Sequence, residues 1–377
     1  MSAVIVGALA LSGAMIVAPA VGPQANDDAA VAAVDYGTGK HFGTGKHFGN
    51  GRYHWRIPRV PAPAPILDPA PAPAPAPAPE PAPEPAPEPT PAPEPAPEPA
   101  PAPPAAPANP GGIVVLDRSF PSAATTGVPD GTALTPYTGP CTITADGVVI
   151  DSSVIDCDLR VHGQDLQITN SVINGTIHSA SSSASFAMID SEVHMPPVTG
   201  TGVGDSNFVL TRVEVTGGNR SVNCAADCTV QDSYLHGQYT DHRGIDHASA
   251  IRMGANSTIR NNTITCEAAP VLPDAGCSAA LTGYGDFGVV QNNIIDGNLI
   301  DGGPDGSMGF CAYGGSTPGK PFSEGVNNIR FTNNVFMRGP SGKCGIWGPI
   351  VAFDAAAPGN VWSNNLWEDG AVAPSAN

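Results

Sequence analysis

A short motif that returns along the last two-thirds of the sequence restricts the possible folds more than any other feature. Each copy has an apolar residue, a spacer, a pair drawn mainly from Asn, Asp and Ser, a second spacer and another apolar residue. Strands this short cannot bury an apolar face alone, but they can when each copy stacks on the previous one. The copies begin at Ile150, Ile168, Ile189, Leu210, Val230, Ile259, Val290, Phe331 and Trp362.

The polar pair inside each copy indicates a bend between two strands. Asn and Asp tolerate the left-handed backbone conformation that such a bend needs, and stacked Asn side chains can form an amide ladder. The Leu-x-x-Leu-x-Leu pattern of leucine-rich repeats is absent, and a propeller would need longer, four-stranded units. We therefore predict an all-β fold, a right-handed parallel β-helix over residues 111–377, with a capping segment near residues 111–140.

Three segments precede the predicted β-helix. Residues 1–25 contain an uncharged apolar run from Val4 to Val17 followed by small residues, which predicts a signal peptide or an N-terminal anchor. Residues 26–57 form a Gly-rich leader with basic and aromatic side chains and a tandem TGKHFG repeat, and we expect this leader to be disordered. Residues 58–110 are almost entirely Pro, Ala and Glu, so we predict an extended polyproline II spacer.

The charge balance of the chain excludes one class of partner. Asp and Glu total 34 against 16 Lys and Arg in 377 residues, so the chain lacks the basic footprint that nucleic acid requires. An acidic, exported chain is instead compatible with a cation or a glycan as partner. We predict a secreted or cell-surface monomer that contacts an extracellular polysaccharide or cell-wall glycan and no membrane beyond an N-terminal anchor.

All eight cysteines follow the spacer. An even number of cysteines in an exported chain suggests disulfide bonds. A zinc site is the alternative, but the paired CxxC spacing that would favour zinc is absent. Joining neighbours in sequence predicts four bonds, namely Cys141 with Cys157, Cys224 with Cys228, Cys266 with Cys277, and Cys311 with Cys344.

Several local sequences resemble those of a known group. The repeat itself, the run Gly127-Val-Pro-Asp-Gly131-Thr and the run Asp232-Ser-Tyr-Leu-His236-Gly are similar to those of secreted bacterial β-helix proteins of the pectate-lyase-like superfamily. The resemblance covers about residues 113–370 and implies the fold more strongly than an activity, because the superfamily includes lyases, hydrolases, epimerases and adhesins.

One stretch between two copies of the motif concentrates ionisable side chains. Relatives in the superfamily often have His-x-Asp at the comparable place, and here His247 keeps the histidine while Ser249 occupies the aspartate position. The candidate catalytic residues are Asp241, His242, Arg243, Asp246, His247 and Arg252, and the candidate substrate-binding residues are His236, Tyr239 and Trp347.

Three interpretations of this stretch stay open. β-Elimination from a polyuronate needs a cation to neutralise the sugar carboxylate and a base to remove the C5 proton, which the arginines and either a histidine or a deprotonated arginine could supply. Glycoside hydrolysis needs two carboxyl groups flanking the scissile bond, for which Asp241 and Asp246 are the candidates. Alternatively, the charges neutralise one another through ion pairs and serve no ligand.

We predict no cofactor from the sequence, with calcium as an alternative to be tested. A second acidic group lies among glycines and has the ligand type that Ca²⁺ prefers, but it lacks the Asp-x-Asp-x-Asp-Gly order and its members could simply be turn residues. This group comprises Asp286, Asp296, Asp301 and Asp305.

Two functions from different classes are compatible with these observations. The first is a polysaccharide lyase or glycoside hydrolase that acts on an extended extracellular glycan at the 241–252 stretch. The second is a non-catalytic glycan-binding or structural module displayed on the proline-rich stalk.

Overall fold

A computed structural model describes residues 111–375, and the predicted export segment, leader and spacer lie outside this range. The described backbone is all β and contains no helix. It therefore also has no helix long and apolar enough to span a bilayer.

The strands are short, most of them two to six residues. In chain order they are β1 (Ile113–Val115), β2 (Arg118–Phe120), β3 (Thr135–Pro136), β4 (Thr142–Ile143), β5 (Val149–Asp151), β6 (Ser153–Ile155), β7 (Leu159–Val161), β8 (Leu166–Thr169), β9 (Val172–Ile173), β10 (Ile177–Ser179), β11 (Phe186–Ile189), β12 (Glu192–His194), β13 (Thr201–Gly204), β14 (Ser206–Thr211) and β15 (Glu214–Thr216). They continue as β16 (Arg220–Gln231), β17 (Tyr234–Leu235), β18 (His247–Ala255), β19 (Thr258–Arg260), β20 (Thr263–Thr265), β21 (Gly276–Cys277), β22 (Leu281–Thr282), β23 (Gln291–Asp296), β24 (Leu299–Asp301), β25 (Phe310–Tyr313), β26 (Asn327–Thr332), β27 (Val335–Met337), β28 (Gly348–Val351), β29 (Val361–Ser363) and β30 (Leu366–Trp367).

These strands form two large parallel sheets and one small antiparallel hairpin. Ten strands make one sheet in the order β3-β6-β9-β12-β15-β17-β20-β24-β27-β30, and eighteen make the other. In the ten-stranded sheet every strand pairs with the equivalent strand of the next repeat, which is the pairing expected for a solenoid-like β fold.

The core consists of rows of apolar side chains that run from repeat to repeat. In the ten-stranded sheet one buried row contains the last apolar residue of eight of the nine predicted motif copies together with Ile300, and cross-strand neighbours in such rows shield one another from water. The row is Ile155, Ile173, Val193, Val215, Leu235, Ile264, Ile300, Phe336 and Trp367.

The motif register holds for seven copies and shifts in two. Met188, rather than Ile189, pairs with Ile168, and Met188 is fully buried. Ile295, rather than Val290, pairs with Ile259. The second error arose because Asn292 and Asn293 lie at a different bend, where Asn293 Oδ1 accepts a hydrogen bond from the backbone of Ser257. The sequence prediction recognised one column of bends, and the structure contains two.

The predicted bend conformation and side-chain ladder are both present. The first residue of the polar pair has a positive φ of 46° to 56° in eight repeats, including Arg212. The side chain of the second residue points inward, and its oxygen accepts a hydrogen bond from the backbone N–H at the equivalent position of the preceding repeat. These bonds satisfy buried N–H groups at the bend that make no strand-to-strand hydrogen bond. Ser153, Ser171 and Ser191 form the first stretch of this ladder. The second stretch comprises Ser233, Asn262, Asn298, Asn334 and Asn365.

The segment before the first repeat is a strap along the ten-stranded sheet. Phe120 packs against Leu299 and Val335 on this sheet. The Arg118 guanidinium donates to the carbonyls of Gly297 and Asn333, the latter 215 residues away. The strap thus covers apolar side chains of late repeats, whereas the sequence predicted a cap over the solenoid end.

All four predicted disulfide bonds are present. They join Cys141 to Cys157, Cys224 to Cys228, Cys266 to Cys277 and Cys311 to Cys344, and no described cysteine is free. Four disulfides are consistent with an oxidising, extracellular location.

Candidate functional site

An open groove of about 470 Å³ lies on the eighteen-stranded sheet. Three cationic side chains line it, together with one carboxylate, Asp286. The cations are Arg220, Arg252 and Lys320, and the aromatic side chains are Tyr284, Tyr313 and Trp347. Positive charge beside aromatic side chains suits a ligand that combines anionic groups with flat apolar surfaces.

Strand register brings these residues together from distant parts of the chain. Arg220 on β16 lies opposite Ser249 on β18, and Arg252 on β18 lies opposite Thr282 on β22. Because neighbouring strands are roughly 4.8 Å apart, side chains separated by about 30 residues become neighbours on one face. His247 and Arg252 lie five residues apart on β18, so about 16 Å of groove separates them.

Arg252 forms one end of the groove. Its guanidinium donates to Asp286 Oδ2 at 3.3 Å and to the Tyr284 carbonyl at 3.2 Å. Lys320 Nζ approaches the other oxygen of the same carboxylate at 2.9 Å. Two cations therefore share one carboxylate, which leaves a net positive charge at this end.

His247 and Ser278 form the other end. His247 Nδ1 lies 3.0 Å from Ser278 Oγ, and His247 Nε2 lies 3.3 Å from Asp274 Oδ2. Tyr284 lines the groove with Ser278, and its ring packs against the Tyr313 ring with centroids 4.6 Å apart. Burial raises the pKa of the Tyr284 phenol well above its usual range, so this hydroxyl stays protonated at neutral pH.

The polar row continues beyond the groove toward the N-terminal repeats. Arg160 pairs with His178, and His178 pairs with Gly204. His178 Nδ1 lies 3.4 Å from Asp205, whose other oxygen accepts from Asn223 at 2.8 Å. Burial disfavours protonation of His178, but the hydrogen bond and charge of Asp205 outweigh it and raise the pKa of the imidazole. This extension is therefore an ion pair.

The predicted catalytic residues occupy three different places. His247 and Arg252 line the groove, at opposite ends. Asp241, Arg243 and Asp246 form a closed cluster in the loop before β18. His242 is exposed and contacts Tyr239 edge to face, with ring centroids 6.0 Å apart.

Asp241 organises its own loop. Its carboxylate is 1% exposed and accepts hydrogen bonds from the Arg243 side chain and from the backbone amides of Arg243, Ile245 and Asp246. The Arg243 guanidinium beside it, helped by the amides, holds the pKa of Asp241 well below its usual range. A permanently ionised, enclosed carboxylate suits loop stabilisation better than proton donation.

Among the predicted substrate-binding residues, Trp347 lines the groove and His236 does not. Trp347 is 61% exposed. His236 follows β17 of the other sheet, where its Nε2 bonds Glu214 at 2.8 Å and its Nδ1 lies 3.7 Å from Glu267. Burial opposes protonation of this imidazole, but the two carboxylates prevail and raise the pKa of His236 to about 9.

The four aspartates proposed as calcium ligands have separate partners. Asp286 lies in the groove, and Asp296 accepts hydrogen bonds from Thr332 and Asn333. Asp301 accepts from the Gly303 amide, and Asp305 from Ser307. No group of three potential metal ligands occurs within residues 111–375.

Sequence inspection missed Arg220, Lys320, Ser278 and Tyr284 as groove residues. Arg220 and Ser278 could have been found by counting strand register outward from His247 and Arg252. Lys320 and Tyr284 could not, because irregular segments carry both of them.

Comparison with known proteins adds no assignment to this geometry. A scan against protein-family models found no match, and searches among curated proteins and among solved structures found none either.

Proposed function

We propose that residues 111–375 form a right-handed parallel β-helix of the pectate-lyase-like type, exported from the cell, that binds an extended acidic polysaccharide in the groove. The observation that carries the proposal is the groove lining of three cations and one carboxylate beside three aromatic faces. A polyuronate supplies repeated carboxylates for the cations and pyranose faces for stacking.

The lining favours β-elimination over glycoside hydrolysis. Hydrolysis requires two carboxyl groups on opposite sides of the scissile bond, and Asp286 is the one carboxylate among the described lining residues. Asp241 and Asp246 are both held by Arg243 in the neighbouring loop. Elimination requires a cation, a base and a proton donor, and the groove has each.

These parts lie at the His247 end. Arg220 lies on β16 opposite Ser249, which is two residues after His247 on β18, and its guanidinium would neutralise the uronate carboxylate. The His247 imidazole would take the C5 proton as the C4–O4 bond breaks and the C4=C5 double bond forms. The Tyr284 phenol would donate a proton to the departing O4. Arg252 and Lys320 would hold a second uronate further along the groove.

A non-catalytic binding module is the second candidate. The ion-paired cluster of Asp241, Arg243 and Asp246 supports it, because it engages three of the six predicted catalytic side chains with one another. Both candidates share the groove and its acidic ligand, and they differ in turnover alone.

Binding and turnover can be measured separately on the full-length exported chain. We expect polygalacturonate or alginate to bind, as measured by calorimetry, and the Arg252→Ala variant to lose about 1.5 to 3 kcal/mol of binding free energy, roughly 10- to 160-fold in Kd. Arg260→Ala is the matched control, because Arg260 is a half-exposed arginine that faces Asp296 outside the groove lining.

The ultraviolet absorbance of unsaturated uronides reports turnover. Binding with no absorbance gain selects the non-catalytic module. Equal affinity of both arginine variants, or no binding by the wild type, refutes the proposal.

A further inference from the structure

We infer that Ser278, His247 and Asp274 form a nucleophilic triad in the groove wall, and that it hydrolyses carboxylic esters carried by the acidic polysaccharide. The inference rests on the proposed function for its substrate class and stands on its own geometry for its chemistry.

The three side chains have the connectivity of an activated serine. Ser278 Oγ lies 3.0 Å from His247 Nδ1, and Asp274 Oδ2 lies 3.3 Å from the opposite ring nitrogen, Nε2. A carboxylate at Nε2 favours the tautomer with hydrogen on that nitrogen, which leaves Nδ1 as the acceptor facing the hydroxyl. Ser278 and His247 both line the groove, so the nucleophile is accessible to a ligand bound there.

The fold holds this arrangement with covalent and backbone links. His247 pairs with Gly276 and Ala248 pairs with Cys277, so β18 and β21 run side by side directly before Ser278. The Ser278 amide donates to the Ala248 carbonyl at 2.9 Å. The disulfide between Cys266 and Cys277 closes the loop that contains Asp274. Asp274 and Ser278 thus lie within or directly after one short, cross-linked stretch, and this stretch pairs with the strand that carries His247.

A donor for the developing oxyanion lies beside the nucleophile. Tyr284 lines the groove together with Ser278, and burial raises the pKa of its phenol. A phenol that is protonated at neutral pH can donate a hydrogen bond to the oxyanion. Arg220 lies opposite Ser249, near the same end of the groove, and adds positive charge.

The reaction balances with water as the only co-reactant. Ser278 Oγ attacks the ester carbonyl carbon while its proton passes to His247 Nδ1, and the bond from that carbon to the sugar oxygen breaks as Nδ1 returns the proton to the sugar oxygen. Water then attacks the acyl-serine and gives a proton to Nδ1, and Ser278 recovers its proton as the carboxylic acid leaves. For a methyl uronate the leaving group is methanol and the acyl group is the glycan itself.

An ester on an acidic glycan fits the groove better than a neutral ester. The Arg252 end lies about 16 Å along β18 from His247, so a chain whose uronate binds at Arg252 places a different sugar at Ser278. Elimination does not use a serine nucleophile, so a chemical dependence on Ser278 separates ester hydrolysis from the lyase reaction.

The test uses the full-length chain with three substrates. These are p-nitrophenyl acetate, O-acetylated polygalacturonate with release of acetate measured, and methyl-esterified polygalacturonate with release of methanol measured. We expect Ser278→Ala to lower kcat/KM at least roughly a thousandfold on whichever polymer is cleaved. Thr216→Val is the matched control, because Thr216 also bonds a histidine that bonds a carboxylate, outside the groove lining.

Covalent labelling provides a readout besides turnover. A fluorophosphonate probe should modify Ser278, as located by peptide mass spectrometry, and His247→Ala should abolish the labelling while thermal unfolding shows that the variant is folded. Ser278→Cys provides a second variant that restores a nucleophile if the alanine variant does not fold.

The outcomes distinguish this inference from the proposed function. Polyuronate binding without ester cleavage or Ser278 labelling overturns the triad and leaves the proposed function standing. Ser278-dependent cleavage of p-nitrophenyl acetate without polyuronate binding supports the triad and overturns the proposed substrate class. Ester cleavage that survives Ser278→Ala also overturns the triad.

Discussion

The same sequence of groups, hydroxyl to imidazole to carboxylate, occurs at two places in the described molecule. In the groove it is Ser278, His247 and Asp274. On the ten-stranded sheet Thr216 Oγ1 lies 3.2 Å from His194 Nδ1, and His194 Nε2 lies 2.7 Å from Glu192. The hydroxyl–imidazole distance is shorter in the first set and the imidazole–carboxylate distance is shorter in the second, so the surroundings must decide what each set can do.

The surroundings differ in charge. The hydrogen bond that His194 donates to Glu192 raises the pKa of His194, and the charge of a further carboxylate, Glu214, acts in the same direction. This shift favours the protonated imidazole, and a protonated imidazole cannot accept a proton from a hydroxyl. The groove instead contains more cations than carboxylates. On the ten-stranded sheet, Glu192 and Glu214 form ion pairs with His194 and His236. In the groove the cations outnumber the carboxylates, which favours binding of an external anion.

The largest expected effect concerns the contribution of the Glu214–His236 ion pair to the stability of the fold. Replacing Glu214 by Gln should lower the pKa of His236 from about 9 toward 6.5. The folded-state pKa is raised, so the stabilisation is complete below pH 6.5 and is lost as the pH rises through 9. Chemical denaturation should show a deficit of about 2 kcal/mol at pH 6 that shrinks above pH 9. A pH-independent deficit would contradict the ion-pair account.

A smaller effect is expected in the groove. Trp347 is 61% exposed, so Trp347→Ala should leave the unfolding midpoint unchanged while it weakens polyuronate binding by about 1 kcal/mol, roughly fivefold in Kd. Trp367→Ala is the contrasting variant, because Trp367 is 5% exposed and packs against Phe336, so it should destabilise the fold. Unchanged affinity in the Trp347 variant would remove stacking from the proposed recognition.

The smallest expected effect distinguishes the role of the Thr216 hydroxyl from that of the Ser278 hydroxyl. Thr216→Val removes the hydroxyl that faces His194 and should cost about 0.5 kcal/mol of stability, with ester cleavage and polyuronate binding unchanged. Equilibrium unfolding and the ester assays measure both quantities on one preparation. Loss of ester cleavage in this variant would assign the chemistry to Thr216 and His194 on the ten-stranded sheet and would contradict its assignment to Ser278 in the groove.

Much of the fold could be predicted from local pattern because a solenoid repeats its local pattern in space. The alternation of apolar residues with an Asn, Asp or Ser bend predicted the parallel sheets, the ladder and the left-handed bend at Asn170 and Asn261. The error at Met188 arose because the adjacent Ile189 is also apolar, and burial of Met188 chose between these neighbouring registers. The error at Ile295 arose because Asn292 and Asn293 form a second bend that also matches the motif.

The site was less predictable because its residues are assembled by pairing rather than by proximity in sequence. The charged stretch from 236 to 252 contributed two ionisable groove residues, His247 and Arg252, at its C-terminal end. Asp241 and Arg243 form an ion pair with each other, because two residues that are two positions apart in a tight loop are already within bonding distance. Crowding of ionisable residues in sequence was therefore a sign of local ion pairing as well as of a nearby site.

The sequence alone determined the all-β class, the disulfide partners and the position of most repeats, since each of these depends on residues close together along the chain. The tertiary structure decided what crosses the repeats. It set the strap that ties Arg118 to Asn333 and the alignment of Arg220, Arg252 and Ser278 along one groove. The physical reason is that irregular loops set the length of each repeat, and these lengths, which no local rule specifies, choose which side chains become neighbours.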